Sequence, residues 1–249
     1  MSWNENNLRQ MARPVPVRSN ERPLPRAVIG AEPSALETNK VLRNTYMLLS
    51  MTLLFSAAMA GVSMAVGVPY GVSLVCSLVA LGLLWFVVPR TANSEAGIWV
   101  VFAVTGLLGF GLGPVINMYL KGFANGSQIV MMAFGLTGTI FVGLSAYAIK
   151  TRRDFSFMRG FLFTGILIAF VVSIGLLVAS FFGVYLQPLA LGISAMFALL
   201  MCGLILYQTG EIVNGGETNY VLATVTLYVS IYNLFTSLLH LLGFAAGDD

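Results

Sequence analysis

The sequence predicts an all-α polytopic membrane protein that crosses the bilayer with seven helices. Of its 249 residues, 57% are hydrophobic and only 9% are charged, whereas about a quarter of the residues in a soluble domain are charged. Apolar runs of about 20 residues, the length that a helix needs to cross a hydrocarbon core, recur along the chain. None of these runs alternates with the period of two that transmembrane β-strands require.

The apolar runs place the seven predicted spans, in chain order, at 45–66, 70–89, 97–118, 128–150, 159–182, 187–207 and 220–243. The connections after the first and the fifth span are very short, so each of these two pairs is predicted to form an antiparallel hairpin. The first span is not predicted to be a signal peptide, because its polar leader is too long and its apolar run too extended.

The basic residues predict the orientation. All but one of the 13 Lys and Arg residues lie in segments that face the same side of a seven-span chain, and the exception is Lys121. Since cytoplasmic segments of membrane proteins are enriched in Lys and Arg, the N-terminus is predicted to be cytoplasmic. Seven crossings then place the C-terminus, which ends in Asp248 and Asp249, on the periplasmic side.

Residues 1–33 are predicted to be a separate, disordered cytoplasmic tail, because a segment rich in Arg and Pro with few apolar residues cannot bury a core. Its charge is expected to attract anionic lipids, so a pI of about 9.0 does not imply nucleic-acid binding. Ser34 and Glu37 fit a capping box, so the first helix is predicted to start there. With the last apolar run ending at residue 243, the bundle is predicted over 34–243 and a short outer tail over 244–249.

The last span carries a polar stripe. Its members recur at steps of four, three, four and three, which places them on one face of a helix: Thr226, Ser230, Asn233, Ser237 and His240. A polar face inside lipid must meet an ion path, a catalytic site or another helix. We expect Thr226, Ser230 and Asn233 to form hydrogen bonds with neighbouring helices of the bundle.

An enzyme is the first alternative. Ser194 in the sixth span and His240 in the seventh invite comparison with intramembrane serine proteases, since both are predicted to lie towards the outer side. Ser194 is followed by Ala195 rather than Gly, and no second donor for an oxyanion is evident. The sequence therefore predicts that the protein is not an enzyme.

A metal or redox site is not predicted either. Cys76 and Cys202 lie inside spans and supply neither a disulfide framework nor a metal-ligand spacing, so both are expected to pack as small apolar residues. The chain has one histidine and no sequence cluster of Cys, His, Asp and Glu. No cofactor is therefore predicted.

Glycines within the spans predict close helix packing. Gly109 and Gly113 form a GxxxG motif directly before Pro114, and three further glycines occur in the fourth span: Gly135, Gly138 and Gly143. Small residues allow helix backbones to approach each other in lipid. A hinge at Gly113 and Pro114 is the alternative, because proline removes a backbone donor.

A transporter or leak channel is the remaining alternative. Ion paths usually place charged residues inside the spans, but every acidic residue of this chain lies in a tail or loop. The nearest approach is Gln208 and Glu211 at the cytoplasmic end of the sixth span. Uncharged spans weaken the transport interpretation.

Three segments resemble the Bax inhibitor family: KVLRNTYMLLSMTLLFSA, SAYAIKTRRDFSF and ILYQTGEIVNGGETNYVLATVTLYVSIYNLFTSLLHLLGFA. The resemblance runs from about residue 38 to the C-terminus. It implies a seven-helix bundle in which the C-terminal helix is central, surrounded by the other six. Within the family, the sequence is similar to a bacterial inner-membrane protein that modulates the membrane-anchored protease FtsH.

The resemblance also bears on two functions. Channel-like members carry an acidic pair, thought to form a pH-sensitive latch, at the positions of Gln208 and Ser230. An amide and a hydroxyl do not titrate near neutral pH. The resemblance therefore favours a protein that binds and restrains FtsH as a slow or resistant substrate, with a calcium or proton leak channel as the alternative. The oligomeric state stays open.

Overall fold

The computed structural model describes residues 35–247, and all seven predicted helices are present in that range. They are α1 (Ala35–Val66), α2 (Tyr70–Thr91), α3 (Ala96–Gly122), α4 (Gly126–Thr151), α5 (Met158–Phe181), α6 (Gln187–Asn214) and α7 (Tyr220–Gly247). Each is long and apolar enough to cross a membrane, which confirms the predicted class. The tail over 1–33 and the Ser34 cap lie outside the described residues and stay predictions.

Several helices continue past the apolar runs that predicted them. The helices α3, α6 and α7 pass the predicted ends at residues 118, 207 and 243. The end of α6 is set by Gly215, which adopts a φ of 79°. In this left-handed conformation Gly216 N donates to Glu211 O at 2.8 Å and closes the helix.

The start of α7 is fixed by Asn219. Its Oδ1 accepts hydrogen bonds from the backbone N–H groups of Val221 at 2.9 Å and Leu222 at 3.1 Å, as a helix N-cap does. Its Nδ2 donates to Ala92 O at 3.1 Å and to Asn93 Oδ1 at 2.7 Å. One side chain thus caps α7 and ties it to the α2–α3 connection.

The helix α2 contains a π-helical turn over Leu83–Val87. Pro89 follows this turn and has no N–H to donate, and a proline ring collides with the carbonyl four residues earlier, here that of Trp85. A wider turn before the proline relieves this collision. The proline thus explains the widened turn.

The GxxxG motif of α3 packs against α1. A Cβ on Gly113 would lie 2.6 Å from Ser63 Cβ and 2.9 Å from Ala60 O, and one on Gly109 would lie 2.8 Å from the carbonyl carbon of Ser56. These distances are too short for a side chain. The packing interpretation is confirmed for this motif, whereas the hinge at Gly113 and Pro114 stays a prediction.

The three glycines of α4 behave differently. Among the described residues, no heavy atom lies within 4 Å of a Cβ built on Gly135, Gly138 or Gly143. All three are exposed, so the prediction that they pack against another helix of this chain is wrong. The spacing of small residues does not show which face of a helix a neighbour covers.

The helix α7 contributes to all three clusters of buried apolar side chains. Tyr228 packs with residues of α1, α2 and α3, Leu234 with residues of α5 and α6, and Leu239 with residues of α3 and α4. Of its apolar window 61% is buried, against 11% for α5. The helix packs against α1, α3, α4 and α6; a central position among all six stays a prediction.

Candidate functional site

The polar stripe of α7 lies largely within the bundle. Ser230 is fully buried and Ser237 is 7% exposed, while Thr226, Asn233 and His240 are half-buried. A face on which every member is at least half-buried is turned mainly towards protein. The structure tests the predicted interhelical hydrogen bonds for Ser230 and Asn233, while that of Thr226 stays a prediction.

The expected interhelical bonds are wrong for two members of the stripe. Ser230 Oγ donates to Thr226 O at 2.7 Å, and Asn233 Nδ2 donates to Val229 O at 2.8 Å. Both acceptors belong to α7 itself. The carbonyl four residues back is always within reach of such a side chain in a helix, so no partner helix is needed.

The fully buried polar contacts of α7 with α1 and α3 are made by Tyr228, a residue that periodicity did not select. Tyr228 Oη donates to Thr105 O on α3 at 3.2 Å, and it lies 2.5 Å from Ser56 Oγ on α1. The phenol has one proton, so Ser56 donates to Tyr228. Thr224 Oγ1 lies 3.3 Å from Thr45 O on α1, but it donates to Tyr220 O of its own helix at 2.7 Å. The bonds of Tyr228 join α7 to α1 and α3 in the interior.

A sequence signal for Tyr228 exists. A tyrosine in a span has to satisfy its hydroxyl group, and a buried one usually finds a hydrogen-bond partner. Tyr228 is 2% exposed. Its partner Ser56 faces the GxxxG motif of α3, so the glycines and the serine together point to the contact.

The two positions at which the resemblance implies an acidic pair in channel-like members are both buried. Gln208 on α6 is 7% exposed and Ser230 on α7 is fully buried. The neighbouring Thr209 Oγ1 lies 3.3 Å from Tyr46 Oη on α1. The interior therefore holds an amide at Gln208 and an aliphatic hydroxyl group at Ser230, neither of which titrates near neutral pH.

Ser194 and His240 are brought together, as the sequence comparison with serine proteases requires. His240 Nδ1 lies 2.7 Å from Ser194 Oγ, and the same hydroxyl lies 3.0 Å from Ala190 O. The pair borders a cleft of about 310 Å³ between α5, α6 and α7, which Asn233 and Ser237 also line. This cleft is in the half of the bundle where α7 ends.

A serine beside a histidine can act as a nucleophile, but acyl transfer also needs donors aimed at the oxyanion. Ser194 lies inside α6 (Gln187–Asn214), where backbone N–H groups are used in the helix. The Asn233 amide donates to its own helix. We interpret the Ser194–His240 contact as a hydrogen bond that joins α6 to α7.

Ser194→Ala is expected to lower the free energy of unfolding by about 0.6 kcal/mol, the mean for interhelical hydrogen bonds in membranes. Thermal unfolding in detergent measures the change. Ser50→Ala is the matched control, because Ser50 is exposed and bonds to Tyr46 O of its own helix. Labelling of the wild type by a serine-reactive phosphonate, lost in Ser194→Ala, would contradict the structural interpretation.

Within residues 35–247, no group of three or more His, Cys, Asp and Glu side chains could hold a metal ion. Cys76 on α2 is buried and Cys202 on α6 is partly buried, and both are free. Both pack within helices of the bundle.

These features define a class of protein: a multi-pass helical membrane bundle with an uncharged interior, held together by close glycine contacts and buried hydroxyl groups. The family described as "Inhibitor of apoptosis-promoting Bax1" matches residues 38–247. The chain therefore belongs to the Bax inhibitor family, as its sequence resemblance indicated.

Relatives extend this result. The chain is 49% identical over 215 residues to the Escherichia coli K12 protein named "Modulator of FtsH protease YccA", covering 86% of this chain and 94% of that protein. It is 49% identical over 214 residues to a Vibrio cholerae membrane protein, covering 86% and 93%. An Escherichia coli O6:H1 relative is named an inner membrane protein. The names and the seven apolar helices support a multi-pass inner-membrane location.

Proposed function

We propose that this protein binds the membrane-anchored AAA protease FtsH in the inner membrane and restrains its activity. The observation that carries the proposal is the 49% identity to a protein named as a modulator of that protease, over 86% of this chain. The match spans nearly the whole relative, so the bundle that would meet the protease is shared.

Restraint has a physical basis in resistance to extraction. A protease that acts on membrane proteins must pull its substrate out of the bilayer, and apolar side chains each favour the membrane by a few tenths of a kcal/mol. In this bundle α7 is 61% buried over its apolar window and is bonded to α1 and α3 through Tyr228. Such a bundle would engage the protease and leave slowly, as a resistant substrate.

The basic side chains support a cytoplasmic N-terminus. Among the described residues, the end of the bundle at which α1 begins carries these exposed cations: Lys40, Arg43, Arg90, Lys150, Arg152, Arg153 and Arg159. Lys121 is at the opposite end. Positive charge favours the cytoplasmic side, so the C-terminus is periplasmic in this proposal.

Mild detergent extraction of the tagged protein is expected to recover FtsH in stoichiometric amounts. Overproduction should slow the degradation of other FtsH membrane substrates. An FtsH variant without ATPase activity should still co-purify, because association does not require extraction. Normal substrate degradation together with no recovered protease would refute the proposal.

Deleting residues 2–33 is expected to slow the protein's own degradation by FtsH while leaving membrane insertion and association intact. An AAA protease needs a free end to grip, and this segment, outside the described residues, is the longest polar end. A chase of full-length and truncated protein, in cells with and without active FtsH, measures the rates. Equal degradation rates of the two forms, or loss of the association with FtsH on truncation, would show that the tail is not the end by which FtsH grips the protein.

A further inference from the structure

The connection between α4 and α5 concentrates positive charge. Four exposed cations lie within ten residues of chain: Lys150, Arg152, Arg153 and Arg159. One exposed carboxylate, that of Asp154, lies among them, so the cluster has a net charge of about +3. We call these four cations the basic cluster.

The backbone of this connection is held in place. Phe155 between the arginines is 8% exposed, and its ring lies so close to α6 that a Cβ on Gly210 would be 2.7 Å from Phe155 Cδ2. Asn214 Nδ2 donates to Arg153 O at 3.1 Å. Arg152 adopts a φ of 48° and ends α4 by donating its N–H to Ala148 O. The backbone that carries the four cations is therefore held in one position against α6.

The charges are only partly balanced by the protein around them, since Glu211 of α6 and Glu217 lie close enough to interact, as Arg159 does, with the Tyr207 hydroxyl group. Arg159 lies in the first turn of α5, where the helix dipole disfavours a cation, and that turn has no acidic residue. A hydrogen bond from the backbone N–H of Ser156 holds the pKa of the Asp154 carboxyl below its usual value. Asp154 thus stays ionised and supplies the one negative charge within the connection itself. An added anion would stabilise this cluster.

Apolar side chains adjoin the basic cluster on the membrane side. Ile149 is 37% exposed, Phe157 79% and Phe161 70%. They lie at the end of α4 and the start of α5, where the chain enters the bilayer. Exposed aromatic rings beside cations suit a molecule with an anionic head and apolar chains.

We propose that the basic cluster is a binding site for one anionic phospholipid, whose phosphate contacts Arg152, Arg153 and Arg159 and whose acyl chains lie against Phe157 and Phe161. A free phosphate ion would use the cations and leave the rings without a role. An acidic segment of a soluble protein would not extend into the bilayer. A phospholipid satisfies both halves of the site.

Native mass spectrometry of the full-length protein tests this site, with phosphatidylglycerol and phosphatidylcholine of identical acyl chains as probes. The variant Arg152→Asn/Arg153→Gln/Arg159→Gln is expected to bind phosphatidylglycerol at least about tenfold more weakly, since each basic residue near a membrane surface contributes a factor of about five. Asn at position 152 tolerates the left-handed backbone. The N-terminal tail is present in every sample, so any lipid that it binds contributes equally to all variants.

The matched control is Lys40→Gln/Arg43→Gln/Arg90→Gln, which removes equal charge from the same end of the bundle and should retain the lipid. Should the triple cluster variant not fold, Arg159→Gln alone should weaken binding about fivefold, because it leaves the loop backbone untouched. The triple cluster variant and Arg159→Gln should each leave phosphatidylcholine binding unchanged.

Four outcomes would overturn the proposal. Equal binding of the two lipids would show that the protein does not distinguish their headgroup charges. Equal weakening in the Lys40→Gln/Arg43→Gln/Arg90→Gln control would show that only the total positive charge at this end of the bundle matters. Displacement of the lipid by inorganic phosphate at matched concentration would show a free-anion site. Unchanged lipid binding with loss of the co-purifying protease would assign the cluster to a protein interface.

Discussion

Replacing Gly109 with Ala is expected to destabilise the bundle by about 1–3 kcal/mol, the cost of overpacking a close contact. The new methyl group would collide with the Ser56 backbone on α1, whose carbonyl carbon lies 2.8 Å from the Cβ position. A backbone cannot rotate away as a side chain can, so α1 and α3 have to separate. The hydrogen bond from Ser56 to Tyr228 would be lost with the contact.

Gly138→Ala on α4 is the matched control for Gly109→Ala. Both glycines lie within membrane helices, but no heavy atom of the described residues lies within 4 Å of a Cβ on Gly138. Alanine there should be neutral or stabilise by about 0.5–1 kcal/mol, since glycine disfavours a helix interior. Thermal unfolding of both variants in one detergent gives the comparison; equal effects would contradict the close contact of α1 and α3.

The fold could be predicted from the sequence because lipid imposes a simple rule on a spanning helix. Runs of about 20 apolar residues located all seven helices, and the structure has each of them. The ends were less accurate because helical hydrogen bonding does not stop at the edge of the bilayer. Thus α6 continues to Asn214 and ends only where Gly215 adopts a positive φ.

The polar contacts were only partly predictable. A helical period identifies a face, but it does not tell whether a hydroxyl bonds to its own helix, as Ser230 does, or to another. The bond between Ser56 and Tyr228 joins residues 172 positions apart. Helical periodicity gives no information about contacts between segments so far apart in the chain. Ser194 and His240 lie within hydrogen-bond distance, a contact that their similar predicted depth in the membrane allowed but did not predict.

Installing the acidic pair that the resemblance implies for channel-like members, Gln208→Asp with Ser230→Asp, is expected to make calcium leak pH-dependent, whereas leak through the unmodified protein is expected to show no such dependence. Both positions are buried, and burial disfavours the charged carboxylates. The two would share protons as a coupled unit. Folded protein would then bind more protons than unfolded protein, so stability should fall as pH rises. Leak from calcium-loaded liposomes and unfolding at several pH values measure both effects.

Gln208→Asn with Ser230→Asn isolates the role of charge, because Asn matches Asp in size but does not titrate. This control should show neither the leak nor the pH dependence of stability, although both double variants change the size of the two buried side chains to a similar extent. A pH dependence in the Asn pair would trace the effect to packing. Strong pH-dependent leak in the unmodified protein would show that groups other than these two control ion flow, and would favour the channel over the restraint of FtsH.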